Sequence, residues 1–394
     1  MSKSVGIDIL QAVNEFMTKK GWQGRSCGAC GKTFFSKPSS KMDTLTCGWH
    51  ECDKGTYPFR AFVKRKKRVT PIEVSAKMAE YFGSIGFGLV DPLNVANFEG
   101  QTDLIIAGVQ MFDGIIHRNQ AIQEEKMFVA QPCVRMQFQQ YVETQEGTST
   151  SFVNVCTEKM NAKFDEHLQS VDNWCTILSR LGLHMNDFVI VMQMSDKDWG
   201  TGEFSALELF FSYGGVELGD ASYFLVPRAN GDHIPISDIG FGLERIVWAI
   251  NKTDSYFDTL IPWTSDGSRE MFDSCRTLAL LALCGVQASN KGPGLQFRRF
   301  SKVLSEKYYG EGTYRILGHY FDYWSQFIKP AISRDATIQL VRLEIERFIN
   351  LKVCEMLDLP PPREETTEAY LNRLVYTCNA DIYDLRKAIQ SCKT

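Results

Sequence analysis

The stretch "SDIGFGLERIVWAI", residues 237–250, is a strand-like run of small residues that ends in Glu244-Arg245 and turns directly into an apolar helix. Small residues let a ligand approach the backbone closely, and Arg245 puts a permanent cation where that ligand would sit. This is the pattern of an anion site. A second guanidinium, Arg135, ends the apolar run "QPCVR" and precedes the polar segment "QQYVETQEGTSTSF", which is expected to loop out and return as a second strand. Two planar guanidinium forks on one sheet suit the oxygens of a nucleoside triphosphate. In apolar strand contexts they are hard to explain otherwise, because a buried guanidinium without an anion is costly. The glycine-rich phosphate motifs G-x-x-x-x-G-K-[ST] and G-x-G-x-x-G behind a first strand are both missing, so ATP would have to bind on an antiparallel sheet.

A second chemistry lies in "CGACGKTFFSKPSSKMDTLTCGWHEC". Cys27 and Cys30 form a C-x-x-C knuckle, and after sixteen intervening residues Cys47 and Cys52 bracket His50. Four thiolates from two short turns can close a tetrahedron around Zn2+, with Gly28, Gly31 and Gly48 easing the turns. The expected site is Cys27, Cys30, Cys47 and Cys52, structural in role, with His50 able to replace Cys52. The basic run at 64–68 that follows reads first as a solvated face and second as a nucleic-acid contact.

The elements that must position these groups follow from patterning. With 394 residues, 44% hydrophobic and 23% charged, the chain has room for two or three domains. Its formal net charge of -4 argues against indiscriminate nucleic-acid binding. No apolar run has the length of a membrane span and the start is an amphipathic helix pattern, so a cytoplasmic protein without membrane contact is expected. Residues 1–69 read as an N-terminal helix with the zinc-binding insertion. Residues 70–265 read as short strands, "TDLIIAGVQMF", "KMFVAQPCVRMQF", "DFVIVMQM", "SALELFFSYG", "ASYFLVPRA" and "HIPISDIGFG", with few helices, among them 164–181. Residues 266–394 read as helices, with "LPPP" at 359–362 before a last helical pair. The fold class is therefore α+β, a largely antiparallel sheet with helices packed to one side.

Arg135 before a loop, and a strand ending in Gly-Leu-Glu-Arg before a helix, resemble motifs 2 and 3 of class II aminoacyl-tRNA synthetases. Within that class the chain resembles the catalytic core of archaeal-type alanyl-tRNA synthetases, almost end to end: the amphipathic start, the cysteine segment, "QPCVR", "GVEL", "SDIGFGLERIVWAI" with "DSYFDT" behind it, "SNKGPGLQFRRF" and "YTCNADIYDLRKAI". The resemblance implies a six-stranded antiparallel catalytic sheet, bent ATP, Mg2+ and an aminoacyl-adenylate. Position by position it implies that Arg135 holds the α-phosphate, that Arg245 covers adenine and meets the γ-phosphate, and that Phe152 stacks on the other face of the base. Asp238 would recognise the α-ammonium, Gly240 and Gly242 would leave room for a small side chain, and Trp199 would belong to the amino-acid pocket. The chemistry agrees, since charge building on phosphorus oxygens is stabilised by fixed cations without an enzyme base. Glu208, Glu217 and Asp220 are carboxylates able to help hold Mg2+, in no particular order.

The resemblance also implies that Asn290, Arg298 and Arg299 approach the tRNA acceptor stem, and a solvated helix face explains the two arginines equally well. At several positions the chain parts from the family. The Asn-Asp and Arg-His pairs of the motif 2 loop read here Gln137-Phe138 and Glu146 to Thr148, and a Gly-Gly-Gly-Asn stretch reads Gly200 to Glu203. The six histidines include no close pair, so zinc-dependent editing within the chain is not expected. Three functions follow: activation of alanine or a similar small amino acid and transfer to tRNA; activation with delivery to a carrier protein or a small-molecule amine; or a non-catalytic tRNA-binding regulator. The class II resemblance also implies a homodimer.

Overall fold

The computed structural model describes residues 3–39, 46–48, 52, 68–96, 102–122, 125–260, 268–307, 310–363 and 365–392. His50 and residues 64–67 of the basic run lie outside them. In chain order the elements are α1 (Lys3–Lys19), β1 (Gln23–Ser26), β2 (Thr33–Ser36), α2 (Pro71–Ser84), β3 (Gly88–Leu89), α3 (Asp113–Arg118), β4 (Met127–Val134), β5 (Ser151–Met160), α4 (Phe164–Arg180), β6 (Phe188–Asp198), β7 (Glu203–Tyr213), β8 (Val216–Pro227), β9 (His233–Gly242), α5 (Leu243–Asn251), α6 (Arg269–Leu283), α7 (Gly292–Lys307), α8 (Glu311–Trp324), α9 (Arg334–Leu357), α10 (Thr367–Cys378) and α11 (Ile382–Cys392). By their contacts they form two compact units. The first comprises 1–93, 106–133 and 152–259; the second comprises 94–105, 134–151 and 260–394.

The first unit is built on a nine-stranded sheet of order β1-β2-β6-β7-β8-β9-β5-β4-β3. The run β6 to β9 is antiparallel throughout, whereas β3 pairs with β4 in parallel. The α+β, mostly antiparallel architecture is as expected, and the sheet is wider than six strands because short segments extend both edges. At one edge β2 pairs with β6, so the cysteine-bearing hairpin is part of the sheet. The turn between β7 and β8 uses Gly214 and Gly215, at φ 56 and 87, the backbone a tight two-residue hairpin demands.

Pleating gives this sheet two unlike faces. On one, Trp174 of α4 stacks on Phe241 at 4.5 Å between ring centroids and donates Nε1–H to Thr157 Oγ1 at 2.7 Å. Phe82 of α2 packs on the same indole at 4.9 Å. The opposite face carries Asn154, Cys156 and Glu158 of β5 in register with Gly242, Gly240 and Asp238 of β9. The last two of these in turn oppose Asp220 and Ser222 of β8.

One expected strand is not there. Residues 102–112 make a single bridge at Leu104 and then a short helical turn over Gly108–Phe112. The Gln110 side chain accepts the backbone N–H of Ile106 at 2.6 Å and of Ala107 at 3.2 Å, taking up donors that a strand partner would have used.

The second unit is helical in its long part. α6 is buried from Phe272 to Leu283, and Arg276 lies within it between the rings of Tyr323 at 4.4 Å and Trp324 at 4.3 Å. The helical pair after the prolines, α10 and α11, closes on α9 through Val353, Tyr370, Leu374, Leu385 and Ile389. Among the described residues no helix is long and apolar enough to cross a membrane.

Gly219 tests the sheet directly. A Cβ there would fall 2.2 Å from the Gly240 carbonyl oxygen and 2.6 Å from the Phe241 Cα, so β8 and β9 can approach only because residue 219 has none. Gly219→Ala is expected to cost about 1 to 3 kcal/mol, read as a lowered denaturation midpoint with an unchanged slope. A midpoint equal to wild type would show that the strands part without cost.

Candidate active site and metal site

β9 runs straight into α5, and the junction fixes two charges in opposite ways. Glu244 is fully buried and its carboxylate accepts the Val153 N–H at 3.0 and 3.2 Å, tying the start of α5 to β5 beside Phe152. Arg245, one residue on, is half-buried and donates to the Glu217 carbonyl at 3.0 Å, with the Glu217 carboxylate 3.9 Å away. The sequence reading singled out the arginine and missed the glutamate, whose signal was its place at the first turn of an apolar helix.

Asp238, Gly240 and Gly242 are half-buried on the polar face, as is Phe152 on the same face of β5. From the other face His167 of α4 holds β9, its Nδ1 2.8 Å from Ser237 Oγ. Burial pushes that imidazole down to about 3, so it is neutral. The space over Gly240 is taken by Asn154, whose Oδ1 would stand 2.8 Å from a Cβ. Trp199 packs beside the cluster of Val109, Phe112, Phe224 and Ile236 and donates to Asp113 Oδ1 at 3.1 Å.

The carboxylates named for Mg2+ are not equivalent. Burial would push the Glu208 carboxyl up, but Lys197 at 2.5 Å, Ser195 at 2.6 Å and Gln193 at 3.1 Å bring it below the ordinary value. Asp220 accepts from Ser222 at 2.9 Å, and Glu217 stands with Arg245.

Arg135 belongs to the second unit, where its N–H bonds to the Thr150 carbonyl at 2.8 Å and closes the base of the loop 136–150. That loop is pinned along α6. Glu146 meets Arg269, and Glu143 meets Ser268 and the Glu270 N–H at 2.7 Å. Asp273 accepts the Thr150 N–H at 2.7 Å, while Arg276 Nε donates to the Ser151 carbonyl at 3.2 Å. None of these α6 anchors was found from sequence, because they read as one helical turn after another. Further along, Arg298 is bound by Asn290 and lies 3.3 Å from Glu344, which also pairs with Arg347 at 2.6 Å. Arg299 is exposed, with Gln296 at 3.1 Å.

The four cysteines come together as the spacing predicted. Their sulfurs lie within 4.8 Å of one another, with 3.8 Å between Cys30 and Cys47 and 3.7 Å between Cys47 and Cys52. Burial raises the Cys27 thiol, yet backbone N–H groups of Cys30, Cys47 and Ala29 aimed at its sulfur bring it down to about 6. Four convergent soft donors fit a tetrahedral ion such as zinc.

The buried Asp273 gives a pH test. Burial raises its carboxyl to about 6, partly offset by the Thr150 N–H and by Arg276. An unfolded aspartate titrates near 3.9, so between about pH 4 and 6 the folded chain holds the extra proton and stability falls as pH rises, then levels. Asp273→Asn keeps an acceptor for Thr150 and removes the titration. The stability difference between wild type and variant should shift by at most about 3 kcal/mol across that window and stay constant above it. A difference independent of pH would exclude the raised carboxyl.

No family model matches the chain. Curated relatives do. The chain is 27% identical over 268 residues to the alanine-tRNA ligase of Staphylothermus marinus, a match spanning 63% of this chain and 28% of that protein. It is 23% identical over 252 residues to that of Methanococcus maripaludis, spanning 61% and 27%, and 21% identical over 282 residues to that of Halobacterium salinarum, spanning 65% and 29%. The matches therefore span under a third of the length of these relatives. Among solved structures, the pyrrolysyl-tRNA synthetase of Desulfitobacterium hafniense aligns with a TM-score of 0.35 at 14% identity over 50% of this chain and 75% of that one, too loose a superposition to argue from. The strand ending in Gly-Leu-Glu-Arg and these relatives agree on one statement: over 61 to 65% of its length the chain is similar to alanine-tRNA ligases.

Proposed function

We propose that the chain is an ATP-dependent ligase that activates alanine or a similar small amino acid as its adenylate and passes it to tRNA. The observation that carries this is the row on the polar face of β9, where Asp238 and two glycines lead into Arg245 on one open strand end. Asp238 supplies the anion for an α-ammonium, and Arg245, steadied by Glu217, is a fixed cation for a nucleotide. Phe152, positioned by the Glu244 bond to its neighbour Val153, offers a ring for adenine. Trp199 belongs with the amino-acid pocket in this reading, and Gly240 keeps that strand low. Arg135 would hold the α-phosphate, on a loop base already fixed by Thr150. Mg2+ would be held by carboxylates such as Glu217 and Asp220, since Glu208 is committed to Lys197. It would offset the charge of the phosphates.

Asn290, Arg298 and Arg299 are proposed as the tRNA-facing group, with Arg299 the exposed cation and Arg298 set by Glu344. A second reading keeps the adenylation and changes the acceptor to a carrier protein or a small amine. What favours it is Glu146, which stands where the family carries a basic pair in the motif 2 loop and is engaged by Arg269. A non-catalytic tRNA-binding protein would have no use for Arg135, Asp238 and Arg245 together.

The deciding experiment is amino-acid-dependent ATP-pyrophosphate exchange over a panel of amino acids without tRNA. Exchange with alanine, glycine or serine is expected, and Arg245→Ala should lower it by about 100-fold or more while leaving the melting temperature near wild type. Silence over the whole panel would sink the adenylation reading. Labelled amino acid appearing on tRNA, or never appearing there, then separates the two acceptors.

The cysteine cluster is proposed to hold a structural zinc. Metal analysis should find about one zinc per chain, and a chelator should lower the melting temperature and release the ion. Metal-free protein with an unchanged melt would remove zinc from the description.

A further inference from the structure

On the polar face of the first unit Glu158 of β5 stands directly opposite Asp238 of β9. Residues so paired in an antiparallel ladder point to the same side with their Cβ atoms about 5 Å apart. Glu158 is completely buried, and no N–H or O–H donor of the described residues reaches either of its carboxyl oxygens, the Cys156 thiol beside it being a weak donor. Its cover is the turn at Gly108, where a Cβ would lie 3.2 Å from Glu158 Oε1 and 2.1 Å from Cys156 Sγ. The titratable groups that act on it are Asp238 and Asp220 from β9 and β8 and Cys156 on its own strand, and Cys133 of β4 acts in turn on Cys156. All are acids, so no cation among them compensates a negative charge on Glu158, and the Cys156 thiol offsets it only weakly.

Two carboxyl groups can share such a site only if a proton lies between them. Glu158 is sealed from water and Asp238 is half-buried on the open side, so the proton belongs on Glu158. We propose that Glu158 is a positioning residue: as a neutral carboxylic acid it donates its O–H to the Asp238 carboxylate, fixing that side chain in the orientation in which it would meet a substrate ammonium. This rests on the adenylation reading for the identity of the ammonium, and on the sheet alone for the shared proton. Burial and the adjacent Asp238 push the Glu158 carboxyl well above the ordinary carboxylate range, in the direction the arrangement requires. A buried acid kept neutral so that it can donate is an established device in enzyme sites.

Two measurements decide it. In the infrared difference between wild type and Glu158→Gln at about pH 8, where ordinary carboxylates are ionised, a protonated carboxyl C=O band present only in wild type is expected. In amino-acid-dependent exchange, Glu158→Gln, which keeps a neutral donor, should hold KM for the amino acid near wild type. Glu158→Ala should raise it about 10- to 100-fold with KM for ATP unchanged. If the alanine variant does not fold, the glutamine variant and the band still decide. If wild type shows no exchange with any amino acid, the adenylation reading falls, and the band alone decides for or against the shared proton. Absence of the band, or a glutamine variant as impaired as the alanine one, overturns the proposal.

Discussion

The register of β9 between β5 and β8 is the constraint on which the first unit depends. A strand presents alternate residues to opposite faces, so a slip of one position would send Asp238 toward α4 and bring Ile239 onto the polar face. Three unlike contacts prevent the slip. Gly219 lets the β8 backbone close on Gly240 and Phe241, His167 grips Ser237 from the apolar side, and Glu244 holds the neighbouring strand through the Val153 N–H. The first is steric, the second is a bond between neutral groups, and the third is a buried carboxylate bonded to a backbone amide. The acidic side chains of the polar face are therefore held in place from the backbone and from the opposite face of the sheet.

The second unit solves a different problem, that of giving a long polar loop a definite shape. The loop 136–150 lacks regular pairing, and a short helical turn over Met136–Tyr141 is its only regular element among the described residues. Its order comes from Ser268 and the α6 turns that follow it, which present a serine hydroxyl, an arginine, a backbone N–H and a buried aspartate in succession. Arg276 completes the series, holding the Ser151 carbonyl from a position wedged between aromatic rings. Ordering a loop costs roughly 1 to 2 kcal/mol per residue in backbone entropy, so several bonds from one rigid helix are a proportionate response. The helix acts as a template for the loop.

Much of this was legible in the sequence, for reasons that can be named. The strands from 188 to 242 alternate or run apolar between glycine turns, and the cysteine spacing states its own geometry, so both emerged where expected. Residues 102–112 misled because an apolar run says nothing of whether a side chain such as Gln110 will satisfy the backbone donors first. Glu158, Asn154 and Asp273 were invisible for a related reason: each is a polar residue in an ordinary-looking element, and its weight comes from what stands across from it in space. The proposed site residues Arg135, Asp238 and Arg245 were singled out by motif, while the contacts around them emerge only from the register of the strands.

The cysteine hairpin has a further meaning for the molecule's solution behaviour. β2 lies along β6, and Cys27, Phe34 and Cys47 share one apolar cluster with Val189 and Val191 of that strand. β6 is eleven residues long and its apolar half would otherwise present unpaired backbone at the rim of the sheet, the kind of border along which separate chains adhere. The hairpin replaces that border with β1, four residues long and mostly exposed. Losing the sulfur cluster would thus do more than loosen a local turn: it would uncover a long sticky strand, and the damage would grow with protein concentration, as self-association does.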